Sequence, residues 1–162
     1  MSAFRSTSRG ITAKFDRTDA KLLANLATQI AGLVAGRDEL EDDPAIERLL
    51  PDAYRNNEAD AAEFRRFTES DLADEKVRSA LSMAELLTPG SDANAKVKIT
   101  LDQAAAFDWM RSFTDIRLAL AARLGIVDET SPIIVDDETQ LTLAVYNWLG
   151  ALQWSLVKAI DK

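Results

Sequence analysis

The sequence predicts a mainly α-helical protein, a bundle of about five helices with a small β-sheet from an N-terminal hairpin and short strands. Three observations predict it. Apolar residues recur at the 3.6-residue helical spacing along most of the chain. A short β-prone run, a capping residue and an amphipathic helix follow one another three times, at ITAKFDRTD, KVKITLDQ and SPIIVDDETQ. With 47% apolar and 28% charged residues, and only four prolines and six glycines in 162 residues, the chain falls in the globular range. That length is most simply one domain, residues 1–162.

Each element has its own signal. FRSTSRGITAKF reads as a hairpin. Leu22, Leu23, Leu26, Ile30, Leu33 and Val34 set the buried face of a first helix, and Gly36 stands where a left-handed cap ends one. Pro44 suits the first turn of a short helix through Leu50, which Pro51 stops. Asn57 and Thr68 are candidate caps for two helices, about Glu58–Phe67 and Glu69–Leu87, or for one kinked helix. Val77, Ala80, Leu81, Ala84 and Leu87 form the buried stripe there, and TPGSDAN breaks it. Thr100 and Gln103 have capping-box spacing, so a helix is expected from about Leu101 to Leu124, ended by Gly125. Asp136 or Asp137 caps a last helix running to about Ile160. The short strands require one another and the hairpin to form a sheet.

Two of these helices carry apolar residues on more than one face. Trp109, Phe113, Ile116, Leu120 and Leu124 form one stripe of the first, and Phe107, Met110, Leu118 and Ala121 another. In the last helix Leu141, Val145, Trp148, Leu152, Leu156 and Ala159 form a stripe that Leu149, Ala151, Trp154 and Val157 widen. A helix apolar all round is surrounded by protein or by lipid. Lipid needs about 20 predominantly apolar residues, whereas Thr142, Asn147, Gln153, Ser155 and Lys158 interrupt this run. The expected surroundings are therefore protein, either a monomer core or a homodimer in which Tyr146, Trp148 and Trp154 are interface candidates. Gly150 and Ala151 admit a close neighbour in either case.

Composition excludes several chemistries. With neither cysteine nor histidine, these residues supply no disulfide, thiolate nucleophile, zinc-finger site or imidazole base. No glycine-rich phosphate loop is present. MSAFRSTSRG has no apolar signal core, so a cytoplasmic protein without a membrane segment is expected. Residues 37–75 hold 14 of the 27 acidic residues and 5 of the 19 basic ones, which more than accounts for the net charge of −8. Such acidity repels phosphate backbones and argues against direct nucleic-acid binding.

The carboxylates crowding RDELEDD, and Asp108 with Asp115 on one helical face, read as solvated surface; no metal site and no cofactor are expected. Asp115 and Arg117 stand out as a structural polar pair among apolar neighbours. Arg117 is expected to bridge helices through a carboxylate or helix carbonyls.

RLLPDAYR (Arg48 to Arg55), WMRSFTDIRLALAARLGI (Trp109 to Ile126) and VYNWLGALQWSLVKAI (Val145 to Ile160), in this order and spacing, resemble an actinobacterial family known as "domain of unknown function 2017". Members of that family are described as oxidative-stress transcriptional regulators. The family pattern has Asn-Asp-Leu-Arg-Leu where this chain has Thr114, Asp115, Ile116, Arg117 and Leu118, so Asp and Arg match and Asn does not. The redox sensing attributed to the family uses a cysteine pair, which does not carry over to any residue here. The resemblance implies a cytoplasmic regulator, not an enzyme, that acts on a protein partner such as a sigma factor or another transcription component. The competing expectation is a small-molecule binder or carboxylate-dependent enzyme with its pocket between the two most buried helices.

Overall fold

Alternation fixes the sheet. In Gly10–Phe15 the side chains of Ile11, Ala13 and Phe15 are buried while those between face outward, and in Val97–Leu101 the buried residues are Val97, Ile99 and Leu101. One face of each strand must therefore meet a core. The structure, a computed structural model, describes residues 4–40, 43–50, 59–89, 95–126 and 136–162. The strands are β1 (Arg5–Thr7), β2 (Gly10–Phe15) and β3 (Val97–Leu101). They form an antiparallel sheet in the order β1-β2-β3, with Arg5 opposite Thr12 and Ala13 opposite Ile99. The SPIIV run lies outside the described residues.

Gly10 is where glycine is required. Its φ is +125°, and a Cβ there would meet the Leu101 carbonyl oxygen at 2.6 Å. The hairpin turns and meets β3 at the same residue.

Helix α1 (Arg17–Ala35) buries Ala20, Leu23, Ala27, Ile30, Ala31 and Val34. Leu22, expected on that face, is 36% exposed, and the alanines take the close contacts. Gly36 is not left-handed: its φ is −93°, because the chain runs straight into a right-handed 3₁₀ turn at Arg37–Glu39. Helix α2 (Pro44–Leu49) begins with Pro44 behind Asp43, whose side chain accepts from the Ala45 amide.

Helix α3 (Ala59–Leu86) is one continuous helix, so Thr68 lies inside it and caps nothing, while Asn57 falls outside the described residues. Its side chains are described from Glu69 onward. The stripe that packs inward is Ala73, Ala80, Met83 and Leu87, with Leu81 left 48% exposed. Two of the four are alanines, which suits α3 lying along α1.

Helix α4 (Gln103–Leu124) starts two residues later than expected. Thr100 stays in β3, paired with Thr12, and Asp102 caps the helix by accepting from the Ala105 amide at 2.8 Å. Gly125 closes it at φ +73°. This helix packs on α1, α2, α3, the final helix and strands β2 and β3. At its first turns Trp109 and Phe113 meet Phe4 edge-to-face at about 6 Å, and Phe15 meets Phe4 from the sheet.

The final helix, α5 (Asp137–Ile160), is capped by Asp136, which accepts from the Thr139 amide. It buries Leu149, Leu152, Leu156 and Ala159 against α4 and the β1 edge. Of the two surroundings expected, the core of one chain does not supply the whole enclosure: Leu141 is 70% and Trp154 60% exposed. Among the described residues α4 and β1 are its two neighbours of any extent, and the row of Ala144, Asn147, Ala151, Trp154 and Lys158 is exposed.

Candidate functional site

A cleft of about 330 Å³ opens between α3 and α4, with Leu72 and Met110 as apolar walls. Inside it Lys76 of α3 donates to the Asp115 carboxylate of α4 at 2.6 Å, with the two side chains 17% and 6% exposed. Burial raises the Asp115 pKa above the ordinary carboxylate value, and the hydrogen bond and charge of Lys76 work against that rise. At the mouth Arg111 makes longer, exposed contacts to Glu75 at 3.3 Å and Asp108 at 3.5 Å. Ser79 and Thr114 add hydroxyls to the lining. The set can hold a polar group beside an apolar one.

Asp115 and Arg117 are not each other's partners, since residues two apart on a helix point to different sides. Asp115 turns to α3, Arg117 to α5. The Arg117 guanidinium donates to the Gln153 side-chain oxygen at 3.1 Å and lies 4.7 Å from the centre of the Tyr146 ring. Gln153 in turn donates to the Met110 carbonyl at 3.0 Å and the Thr114 hydroxyl at 2.6 Å. Gly150 makes room for this: a Cβ there would stand 3.2 Å from the guanidinium. Side chains therefore occupy this part of the α4–α5 junction, where the competing expectation put a pocket, and the α3–α4 cleft lies on the other side of α4.

Sequence reasoning missed Lys76, although a signal was there. Ala73, Ala80, Met83 and Leu87 mark the buried stripe, and Lys76 occupies a stripe position as a cation. A charge on an inward-facing row calls for a counter-charge.

The three aromatic interface candidates separate. Tyr146 is half-buried under Arg117, and Trp148 is half-buried against the core. Trp154 is the one exposed aromatic ring among the described residues, with Lys158 5.3 Å from its centre. It lies on an outward row with Ala144, Asn147, Ala151 and Lys158, all exposed and spaced three and four apart. Among the described residues no three histidine, cysteine or acidic side chains gather as metal ligands, and no helix is long and apolar enough to cross a membrane.

A family model described as "Domain of unknown function (DUF2017)" matches residues 1–160. The sequence is 32% identical over 146 residues to the "Putative oxidative stress regulator AosR" of Mycobacterium leprae, covering 81% of this chain and 64% of that protein. It is 29% identical over 172 aligned positions to the "Oxidative stress regulator AosR" of Mycobacterium bovis and of Mycobacterium tuberculosis, covering 86% of this chain and 77% of those proteins. The chain thus spans just under two thirds of the Mycobacterium leprae relative. No solved structure matches it.

Proposed function

The chain belongs to the DUF2017 family, and from that premise we propose that it is a non-enzymatic, cytoplasmic regulatory protein that works by binding another protein. The observation that carries this reading is Trp154, 60% exposed on a row of small residues at the free side of α5. Leaving a large ring in water forgoes its burial, and tryptophan is enriched where protein surfaces meet. Ala144, Asn147 and Ala151 keep the surface beside it low enough for a partner backbone to approach.

The similarity to proteins named oxidative stress regulators supports a stress-response role; the partner proposed for it is a transcription component such as a sigma factor. These residues contain no cysteine, so the signal does not act through a disulfide within them. The first turns of α5, with Leu141 70% exposed and Trp148 half-buried, are the surface proposed for a homodimer. Crosslinking followed by capture from a native lysate tests the reading. Recovery of a transcription or stress-response protein by the natural chain, lost in Trp154→Glu, is the expected result; recovery of neither from the natural chain ends it. Light scattering tests the dimer separately, with Leu141→Glu expected to give the mass of one chain.

The α3–α4 cleft favours a second reading, a small-molecule binder, because Lys76 lines an open cavity with one hydrogen-bonded partner for its three N–H groups. A thermal-shift screen against metabolites separates the two. A ligand of the folded state at 100 times its Kd adds about 2.7 kcal/mol, and a clear shift abolished by Lys76→Met establishes this reading.

A further inference from the structure

The end of α5 and the free edge of β1 enclose a second cleft, which neither the α3–α4 cavity nor the α5 row explains. It measures about 540 Å³, and Phe4, Arg5 and Ser6 face Trp154, Ser155 and Lys158 across it. A neighbouring cavity of about 250 Å³ shares Ser6, Ala159 and Lys162 with it and carries the groove past Gly10 and Leu101. Among the described residues no carboxylate side chain lines either part, while Arg5, Lys158 and Lys162 do. In a chain of net charge −8 this is a locally cationic groove.

The edge has free backbone as well. Thr7 pairs with Gly10 next to the turn, so the bonded pairs of this ladder are Thr7 with Gly10 and Arg5 with Thr12. Ser6, between them, turns its N–H and C=O away from β2. Phe4 has the same parity, and its amide does point outward, donating to the Ser155 hydroxyl at 3.2 Å. That bond joins β1 to α5 at one end of the groove, and Ser6 is an exposed residue along it.

We propose that this groove binds an acidic segment of a partner protein in extended form, pairing with the outward backbone of Ser6, with its carboxylates at Arg5, Lys158 and Lys162 and an apolar side chain against Trp154. Strand addition to a sheet edge supplies affinity through the main chain and specificity through alternate side chains. A nucleic acid or anionic membrane shares the charge, but neither uses a strand edge. The inference rests on the protein-binding reading above and names the partner's chemistry.

The test is fluorescence anisotropy with a labelled ten-residue peptide alternating glutamate and valine, beside its lysine counterpart, single-stranded DNA and phosphatidylserine vesicles. The acidic peptide is expected to bind, more weakly as salt rises, and the lysine peptide is not. Arg5→Glu with Lys158→Glu should weaken binding by at least about tenfold with the circular dichroism unchanged. Ser6→Pro, which removes an N–H the ladder does not use, should weaken it without altering the charge. No binding of the acidic peptide, equal binding by the charge-reversed protein, or tighter binding of DNA or vesicles overturns the proposal. If Ser6→Pro alone fails to fold, the charge-reversed pair decides. Lysate capture keeps the two readings apart: capture that survives the charge reversal leaves the regulatory reading standing and removes this groove from it.

Discussion

Helices α4 and α5 set the same puzzle in sequence and solve it differently. Each carries apolar residues on more than one face, and α5 is the more apolar of the two. Yet α4 is enclosed by four helices and two strands, while among the described residues α5 packs mainly on α4 and the β1 edge. Nine residues of α4 are buried, two of them polar, against four of α5. Apolar content measures how much surface a helix can give to neighbours. How many neighbours this chain supplies is decided by topology, and the surplus on α5 is what suits it to the interaction proposed for it.

The largest expected contrast comes from truncating one ring on each helix. Phe113→Ala removes a fully buried ring that meets Phe4 and Trp109 and should cost about 3–5 kcal/mol in urea unfolding. Trp154→Ala on the outward row should change stability by less than about 0.5 kcal/mol. Equal losses would erase the distinction between the helices.

Next in size is the charge buried on α4. Lys76→Met leaves Asp115 in the cleft without its cation, at an expected cost of about 3 kcal/mol near neutral pH. The sign of its pH dependence follows from the shift. Burial already raises the folded-state pKa of Asp115, and losing Lys76 raises it further, so the folded variant holds a proton more tightly than the unfolded chain. Its deficit should therefore shrink as pH falls through that raised value toward the ordinary carboxylate range. Unfolding midpoints of natural protein and variant at pH 7.5 and pH 5 check this, and a deficit that grows at pH 5 rules it out.

The caps are alike on the two helices, so they sharpen the comparison by holding chemistry constant. Asp102→Ala should cost about 1 kcal/mol through the Ala105 amide left without its acceptor. At α5, hydrogen bonds to Thr139 hold the Asp136 carboxyl below its ordinary value. Its stabilisation is present above that ordinary value and is lost as pH falls through the lowered one. Acid titration followed by circular dichroism should show Asp136→Ala losing less than the natural chain does.

The smallest effect separates two helical glycines. Gly32→Ala in α1 meets nothing within 4 Å and should stabilise by about 0.5–1 kcal/mol. Gly150→Ala gains the same helix propensity but crowds Arg117, so its net gain should be smaller. Equal melting-temperature rises would show that the guanidinium moves aside freely.

What the sequence revealed follows the same division. The hairpin, β3, the Pro44 start and the Gly125 end were readable because each depends on neighbours within a few residues. The start of α4 was misplaced because Thr100 has capping chemistry locally, while pairing with Thr12 keeps it in the strand. Gly36 was misread for a similar reason, since the 3₁₀ turn that follows sets its conformation. Of the site residues, Arg117 was recognisable as a bridge between helices, and its acceptor turned out to be a glutamine amide. Lys76 lies 39 residues from Asp115, and no local pattern joins them. The β1 groove was not legible at all, because it requires the two ends of the chain side by side.

Hydroxyl-radical footprinting of the natural chain, read by mass spectrometry at low protein concentration, tests most directly whether α5 leaves its outer side open. One sample compares all three tryptophans, with Trp109 2% exposed in the core, Trp148 half-buried and Trp154 60% exposed. The account predicts fast oxidation of Trp154, slower oxidation of Trp148 and protection of Trp109. Protection of Trp154 equal to that of Trp109, unchanged on further dilution, would place α5 inside the fold of a single chain and contradict it.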